Sequence, residues 1–163
     1  MTFHLAQANI AIAKFRYDEA EFAGFVDNLD RIYELAERSP GFVWRYVSQD
    51  EDAEAKAVFA QESLIFNMSL WKSMAELHDF VYNSDHLEIL QQRADWFVPY
   101  DRPSMALWWQ PAGQIPTVSE ARHRIDCLAQ AGPTADAFTF RNAFDAPEQS
   151  EPATHEPHIE AGG

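Results

Sequence analysis

The chain has 163 residues, the length of one domain with a single sizeable core. Its formal charge is −14, from 26 acidic against 12 basic residues, and this sets it against nucleic acid and anionic membrane as partners. One cysteine, Cys127, excludes an internal disulfide and a cysteine-based zinc site within the chain.

Five Trp and twelve Phe need a core, a pocket or a subunit interface to cover them. No stretch approaches the roughly 18 apolar residues of a membrane span. The first residues lack a charged segment followed by an apolar block, so the expected location is cytoplasmic.

In chain order, Phe3–Ala13 alternates as a strand. Asp18 and Glu21 have the spacing of a capping box, and Phe22, Phe25, Val26, Leu29, Ile32, Tyr33 and Ala36 then form a helical stripe to about Arg38. Ser39-Pro40-Gly41 ends that helix and feeds a second strand, Phe42–Gln49. The acidic, Ala-rich segment 49–56 reads as a solvated hairpin connection.

Ser63–Leu70 alternates again, with Leu64, Phe66, Met68 and Leu70 on one face. Ile65, Asn67, Ser69 and Trp71 lie on the other. A face that keeps Asn and Ser beside Ile and Trp fits a cavity with a few placed polar groups. Two helix starts follow, at Ser73 with Glu76 and at Asp85 with Glu88. A continuous helix from the second would carry the stripe Leu87, Leu90, Ala94 and Phe97, with His86 and Arg93 within about 20° of each other on its edge.

Residues 98–103 form a loop and Met105–Gln110 a strand with Trp108 and Trp109 on opposite faces. Thr117 and Glu120 open a helix that Gly132-Pro133 stops, and Ala137–Phe144 is expected as a last strand. From Asp145 the composition turns to Pro, Glu, Ala, His and Gly without Lys or Arg, the signature of a disordered acidic tail. The expected division is therefore a folded unit at 1–144 and a tail at 145–163.

This order predicts an α+β fold, a ferredoxin-like βαββαβ antiparallel sheet with helices on one face and an appended helix and strand. The aromatic load of the other face calls for a second subunit to cover it, making a homodimer. The segments HLAQANIA, SPGFVWRY, NMSLWKSMAELHDFVYNSDH, RADWF, ALWWQPAGQIPT and GPTADAFTF resemble the bacterial DUF3291 family over roughly residues 3–144. The resemblance implies a dimeric α/β-barrel, in a superfamily that also holds antibiotic-biosynthesis monooxygenases and chlorite-dismutase-like haem proteins.

Candidate residues follow from the central stretch. His86 titrates near neutrality and suits acid/base chemistry, Arg93 beside it suits holding an anionic group, and the Asn67 amide suits polarising an oxygen. Ser69 and Trp44, Trp71, Trp108 and Trp109 are the candidate substrate-binding residues, the tryptophans as walls for a flat ligand or as core packing. His4, Arg45, His78, His123, His155 and His158 are weaker. The expected function is a small-molecule enzyme acting on an aromatic or polyketide-like metabolite by cofactor-free oxygenation, isomerisation or cyclisation. The alternatives are a haem enzyme with a histidine axial ligand and a non-catalytic ligand-binding protein. No metal site and no Gly-rich phosphate loop is expected.

Overall fold

The computed structural model describes residues 1–49 and 52–147. Its elements are β1 (Phe3–Ile12), α1 (Ala23–Arg38), β2 (Phe42–Arg45), α2 (Ala53–Phe59), β3 (Leu64–Trp71), α3 (Met74–Tyr82), α4 (His86–Gln91), α5 (Arg93–Trp96), β4 (Met105–Pro111) and α6 (Val118–Ala131). The four strands form one antiparallel sheet in the order β2-β3-β1-β4. The long central pair β1 and β3 registers Gln7 opposite Ser69 and Asn9 opposite Asn67.

Because side chains alternate along each strand, that register sorts the sheet into two faces. One carries Ala6, Ala8, Ile10, Leu64, Phe66, Met68, Leu70, Ala106 and Trp108, buried under Ala55 of α2 and Val118, Ala121, Ile125 and Leu128 of α6. The small β1 residues let these helices lie close. The other carries Leu5, Gln7, Asn9, Asn67, Ser69 and Trp71 and is covered by α1, α3 and the α4–α5 region.

Helices therefore pack on both faces, where helices on one face only were expected. The difference is made by α6 and by α2, which takes in part of the segment read as a hairpin connection. Ala53, Ala55 and Ala57 favour a helix, and its Val58 and Phe59 rest on the sheet, Phe59 meeting Phe66 at 5.8 Å between ring centroids. An Arg122 guanidinium donates to the Val58 carbonyl and ties α6 to α2. Both sheet faces are covered by helices of this chain.

Local signals held where a side chain caps its own helix. Ser73 Oγ accepts from the Glu76 amide at 3.2 Å, and Thr117 Oγ1 accepts from the Glu120 amide at 3.1 Å. The boxes at Asp18 and Asp85 do not form. Chain entry to α1 is instead a 3₁₀ turn over Ala20–Phe22, and Asp85 pairs with Arg31 of α1 at 3.1 Å. β2 stops at Arg45, short of Gln49.

The expected last strand is reduced to isolated bridges, one of which joins Phe138 to the sheet. Leu107 and Phe138 exchange both backbone hydrogen bonds, at 2.9 and 2.8 Å, and the segment then runs on past α3. Residues 145–147 are exposed coil, and the rest of the expected acidic tail lies outside the described residues.

Gly41 joins α1 to β2 at φ 81°, and a Cβ there would fall 2.0 Å from Glu76 Oε2. Gly41→Ala is expected to cost about 2–3 kcal/mol, from left-handed strain together with loss of the contact between Glu76 and Ser73. A urea midpoint unchanged within error would contradict this.

Candidate functional site

The sheet face under α1 carries two separate apolar clusters. Around Leu5, Trp71 and Leu107 one of them gathers Ala36, Leu77 and Phe138. The second is built on Phe22, Phe25 and Trp96, with Leu29, Ile65 and Ile89 packed against it. Between the clusters, in the middle of the two central strands, lie Gln7, Asn9, Asn67 and Ser69. α1 spans both clusters, and so does α4, which brings His86 against the Phe80 ring at 5.0 Å and Ile89 into the second cluster.

The polar residues bond to one another. Gln7 Nε2 donates to Asn67 Oδ1 at 2.5 Å and to Ser69 Oγ at 2.8 Å, and Asn9 Nδ2 approaches Gln7 Oε1 at 3.4 Å. Trp71 Nε1 also donates to Ser69 Oγ, at 2.8 Å. Ser69 thus accepts twice and keeps its own proton to donate. Gln7 and Ser69 are buried, whereas Asn9 and Asn67 are half-buried although they sit on interior strands, so the helix cover is incomplete above them.

Two residues complete the gap. Arg45 of β2 stands opposite Ser69, so Arg45, Ser69 and Gln7 form one row across the sheet. Its guanidinium lies 4.2 Å from the ring centroid of Tyr33 of α1, and its Nε donates to Glu37 Oε1 at 2.8 Å. The Tyr33 phenol lies near enough to the Asn67 side chain for the two to interact. Burial pushes that phenol above its ordinary 10.0, with the Arg45 guanidinium opposing, so the hydroxyl keeps its proton throughout the neutral range.

Asn67, Ser69 and Trp71 are therefore brought together. Trp71 is fully buried and stacked on Phe80 at 5.1 Å, leaving its edge to Ser69. Trp109 flanks Leu5 on the same face and donates from Nε1 to the Phe144 carbonyl at 2.8 Å. Trp44 and Trp108 lie on the opposite face among the α2 and α6 contacts. The four tryptophans do not wall one cavity. Two open surface grooves, of about 490 and 590 Å³, run beside Pro103–Met105 and beside Ala57–Glu62, and neither is lined by a candidate residue.

His86 and Arg93 do not share a helix. The helix breaks at Gln92 (φ −92°, ψ 1°), and Arg93 begins α5 exposed to solvent. The expected stripe fails with it, since Ala94 is exposed. His86 is held more firmly: its Nδ1 lies 3.2 Å from the Val81 carbonyl. A carbonyl only accepts, so Nδ1 carries the proton and Nε2 presents a lone pair.

Burial holds the His86 imidazole below its ordinary 6.5, with the Val81 bond opposing. A base with a depressed folded pKa takes up its proton first in the unfolded state. Its effect on stability is therefore absent above about pH 6.5 and becomes a loss as pH falls below that value. His86→Gln is expected to flatten this part of the stability profile. Urea midpoints between pH 5 and 7.5 that fall equally in both proteins would contradict the assignment.

Haem requires a flat cavity on the free side of a histidine. Neither groove is lined by one, and the His86 ring is packed on Phe80, so the described residues do not fit that group. Among the described residues no three His, Cys, Asp or Glu side chains converge as metal ligands, and no helix is long and apolar enough to cross a membrane.

Fold and site define a small α+β domain whose antiparallel sheet is covered by helices on both faces, with a polar gap under one helix layer. The chain belongs to the DUF3291 family, a domain of unknown function, whose model matches residues 4–154. Two solved structures are similar at low identity. A protein of unknown function from Nitrosomonas europaea, NE2512, is 14% identical with a TM-score of 0.49, over 71% of this chain and 97% of that one. PA3566 from Pseudomonas aeruginosa is 13% identical with a TM-score of 0.45, over 68% and 94%. No curated protein matches.

Proposed function

We propose that this chain binds a small aromatic or polyketide-like metabolite at the polar gap formed by Asn67, Asn9, Tyr33 and Arg45. The observation that carries the reading is the interruption of one helix-covered sheet face. Apolar clusters flank the gap on either side, and half-buried amides stand at the centre of the sheet where a core would place aliphatic side chains. Buried Gln7 and Ser69 hold Asn67 from beneath, the support a preorganised contact needs.

Native mass spectrometry of the full chain as purified, followed by extraction, reads any retained small molecule. Asn67→Leu is expected to lose it. Full retention by that variant, with an unchanged fold, would move the site elsewhere.

A second reading makes the protein an enzyme without cofactor, carrying out isomerisation, cyclisation or a monooxygenase-like step. It is favoured by His86, whose bare Nε2 on α4 suits a general base. In this reading Arg93 has no partner role on the His86 face. Turnover of the retained ligand by wild type and its loss in His86→Gln would select this reading over simple binding.

The strand order supports a ferredoxin-like topology, β4-β1-β3-β2 read from the other edge. A homodimer, in this proposal, uses helix or loop surface, because α2 and α6 already occupy the face expected to receive the second copy. Residence in a reducing cytoplasm accords with the free thiol of Cys127.

A further inference from the structure

Resting on the binding reading above, we infer that the ligand of the gap carries a carboxylate and that Arg45 holds it through its two terminal nitrogens. The residue pattern gave an anion-holding role to Arg93, which the fold leaves exposed at the start of α5. Arg45 is the cation that strand pairing brings to the gap. It stands opposite Ser69 of β3, and Asn67, two residues along that strand, is its diagonal neighbour on the same face.

The guanidinium is held in place without a ligand. Its Nε donates to Glu37 Oε1 at 2.8 Å, its Cζ lies 4.2 Å from the centroid of the Tyr33 ring, and the side chain is only 21% exposed. Arginine has five N–H donors, and Nε accounts for one of them. Among the described residues no hydrogen bond engages the four protons on the terminal nitrogens. The outer pair of these protons points, by covalent geometry, away from the Nε side on which Glu37 sits. An anchored planar fork with two parallel free donors matches a carboxylate, which accepts from both at once. Little ordering is left for the ligand to impose.

Asn67 makes the same demand. Its Oδ1 accepts from Gln7 Nε2 at 2.5 Å, so what it has left to offer at its half-buried position is N–H. Both neighbours thus call for acceptor oxygens.

Two charges oppose an anion: Glu37 on Arg45 itself, and the chain as a whole at −14. The distant charges are screened over about 10 Å at 0.1 M salt, whereas bonds from a half-buried guanidinium to a carboxylate are charge-assisted and roughly twice as strong as neutral ones. Glu37 takes a different N–H and leaves the fork open. Contact therefore outweighs the field, and a carboxylate is preferred to a neutral amide of the same shape.

Arg45→Gln removes both charge and fork, while Arg45→Lys keeps the charge and loses the fork. The test titrates the full chain labelled with ¹⁵N with 2-naphthoate and with its neutral counterpart 2-naphthamide, following the side-chain amides of Asn9 and Asn67. 2-Naphthoate is expected to shift these amides and to bind about 10-fold more tightly than 2-naphthamide. Arg45→Gln is expected to weaken 2-naphthoate by about 10–30-fold and 2-naphthamide by less than about 2-fold, and Arg45→Lys to weaken 2-naphthoate by about 3–10-fold.

Equal or tighter binding of 2-naphthamide at these amides, or an affinity for 2-naphthoate indifferent to either Arg45 variant, overturns the inference and leaves the binding site standing. Should Arg45→Gln not fold, the wild-type ratio and Arg45→Lys decide between the same outcomes. If neither probe shifts these amides at millimolar concentration, site and inference fall together.

Discussion

Phe138→Ala is expected to destabilise the protein by about 3–5 kcal/mol, the range for deleting a fully buried aromatic ring. Phe138 is 0% exposed and packs with Leu5, Leu107 and Trp71 on the α1 side of the sheet, while its neighbour Ala137 packs with the α6 side. Two consecutive residues thus anchor in opposite layers, which requires the chain to cross the β4 edge at this point. The crossing is fastened by the paired backbone bonds between Phe138 and Leu107 and by Trp109 donating to the Phe144 carbonyl.

Removing the ring leaves these polar bonds to hold the segment alone. Faster hydrogen exchange of the Leu107 amide should accompany the stability loss, because its acceptor is Phe138. A variant that lost less than about 1 kcal/mol, with Leu107 still protected, would show that the backbone bridge fastens the edge without the ring.

Ser69→Ala is expected to cost about 2–4 kcal/mol, more than most truncations of so small a side chain. The hydroxyl accepts from Gln7 Nε2 and from Trp71 Nε1, both at 2.8 Å and both belonging to buried residues. Alanine leaves two buried donors unpaired, and each such donor costs about 1–3 kcal/mol. A double-mutant cycle with Trp71→Phe isolates one of them. If the indole bond matters as described, Ser69→Ala costs about 1–2 kcal/mol less when Trp71 is already Phe. Strictly additive effects in urea unfolding would refute the shared hydroxyl.

The same substitution bears on function. Ser69 and Gln7 hold the amide that the proposed ligand meets, so Ser69→Ala should also weaken ligand retention. Asn67→Leu, by contrast, removes the contact itself.

Features governed by near neighbours were legible in the sequence. Ser73 and Thr117 cap their helices because each hydroxyl reaches an amide three residues on, and Gly132 follows the last turn of α6 at φ 71° as the pattern required. The alternation of residues 64–71 named the mixed face correctly, since strand geometry alone sends Asn67 and Ser69 to one side. Asp85 shows the limit of that logic: it has the spacing of a cap, but Arg31 from another helix draws its carboxylate away.

Which residues meet across that face was settled by pairing between distant strands. Arg45 could not be assigned to a face from its own short strand, and only its position opposite Ser69 puts it beside Tyr33. Tyr33 itself read as one more member of an apolar stripe, because periodicity reports the side of a helix and not what lies beneath it. Gln7 gave the signal of a polar residue on a buried strand, which becomes meaningful once Asn67 and Ser69 are seen to share its amide.

α2 and the break at Gln92 were decided in the same way. Both depend on how much sheet surface remains to be covered, a quantity fixed by the assembled fold. The sequence by itself determined the α+β class, the caps at Ser73 and Thr117 and the composition of each strand face. Tertiary packing decided that helices of one chain cover both faces and that half-buried polar residues lie under one of these layers, because burial is a property of partners brought together from far apart along the chain.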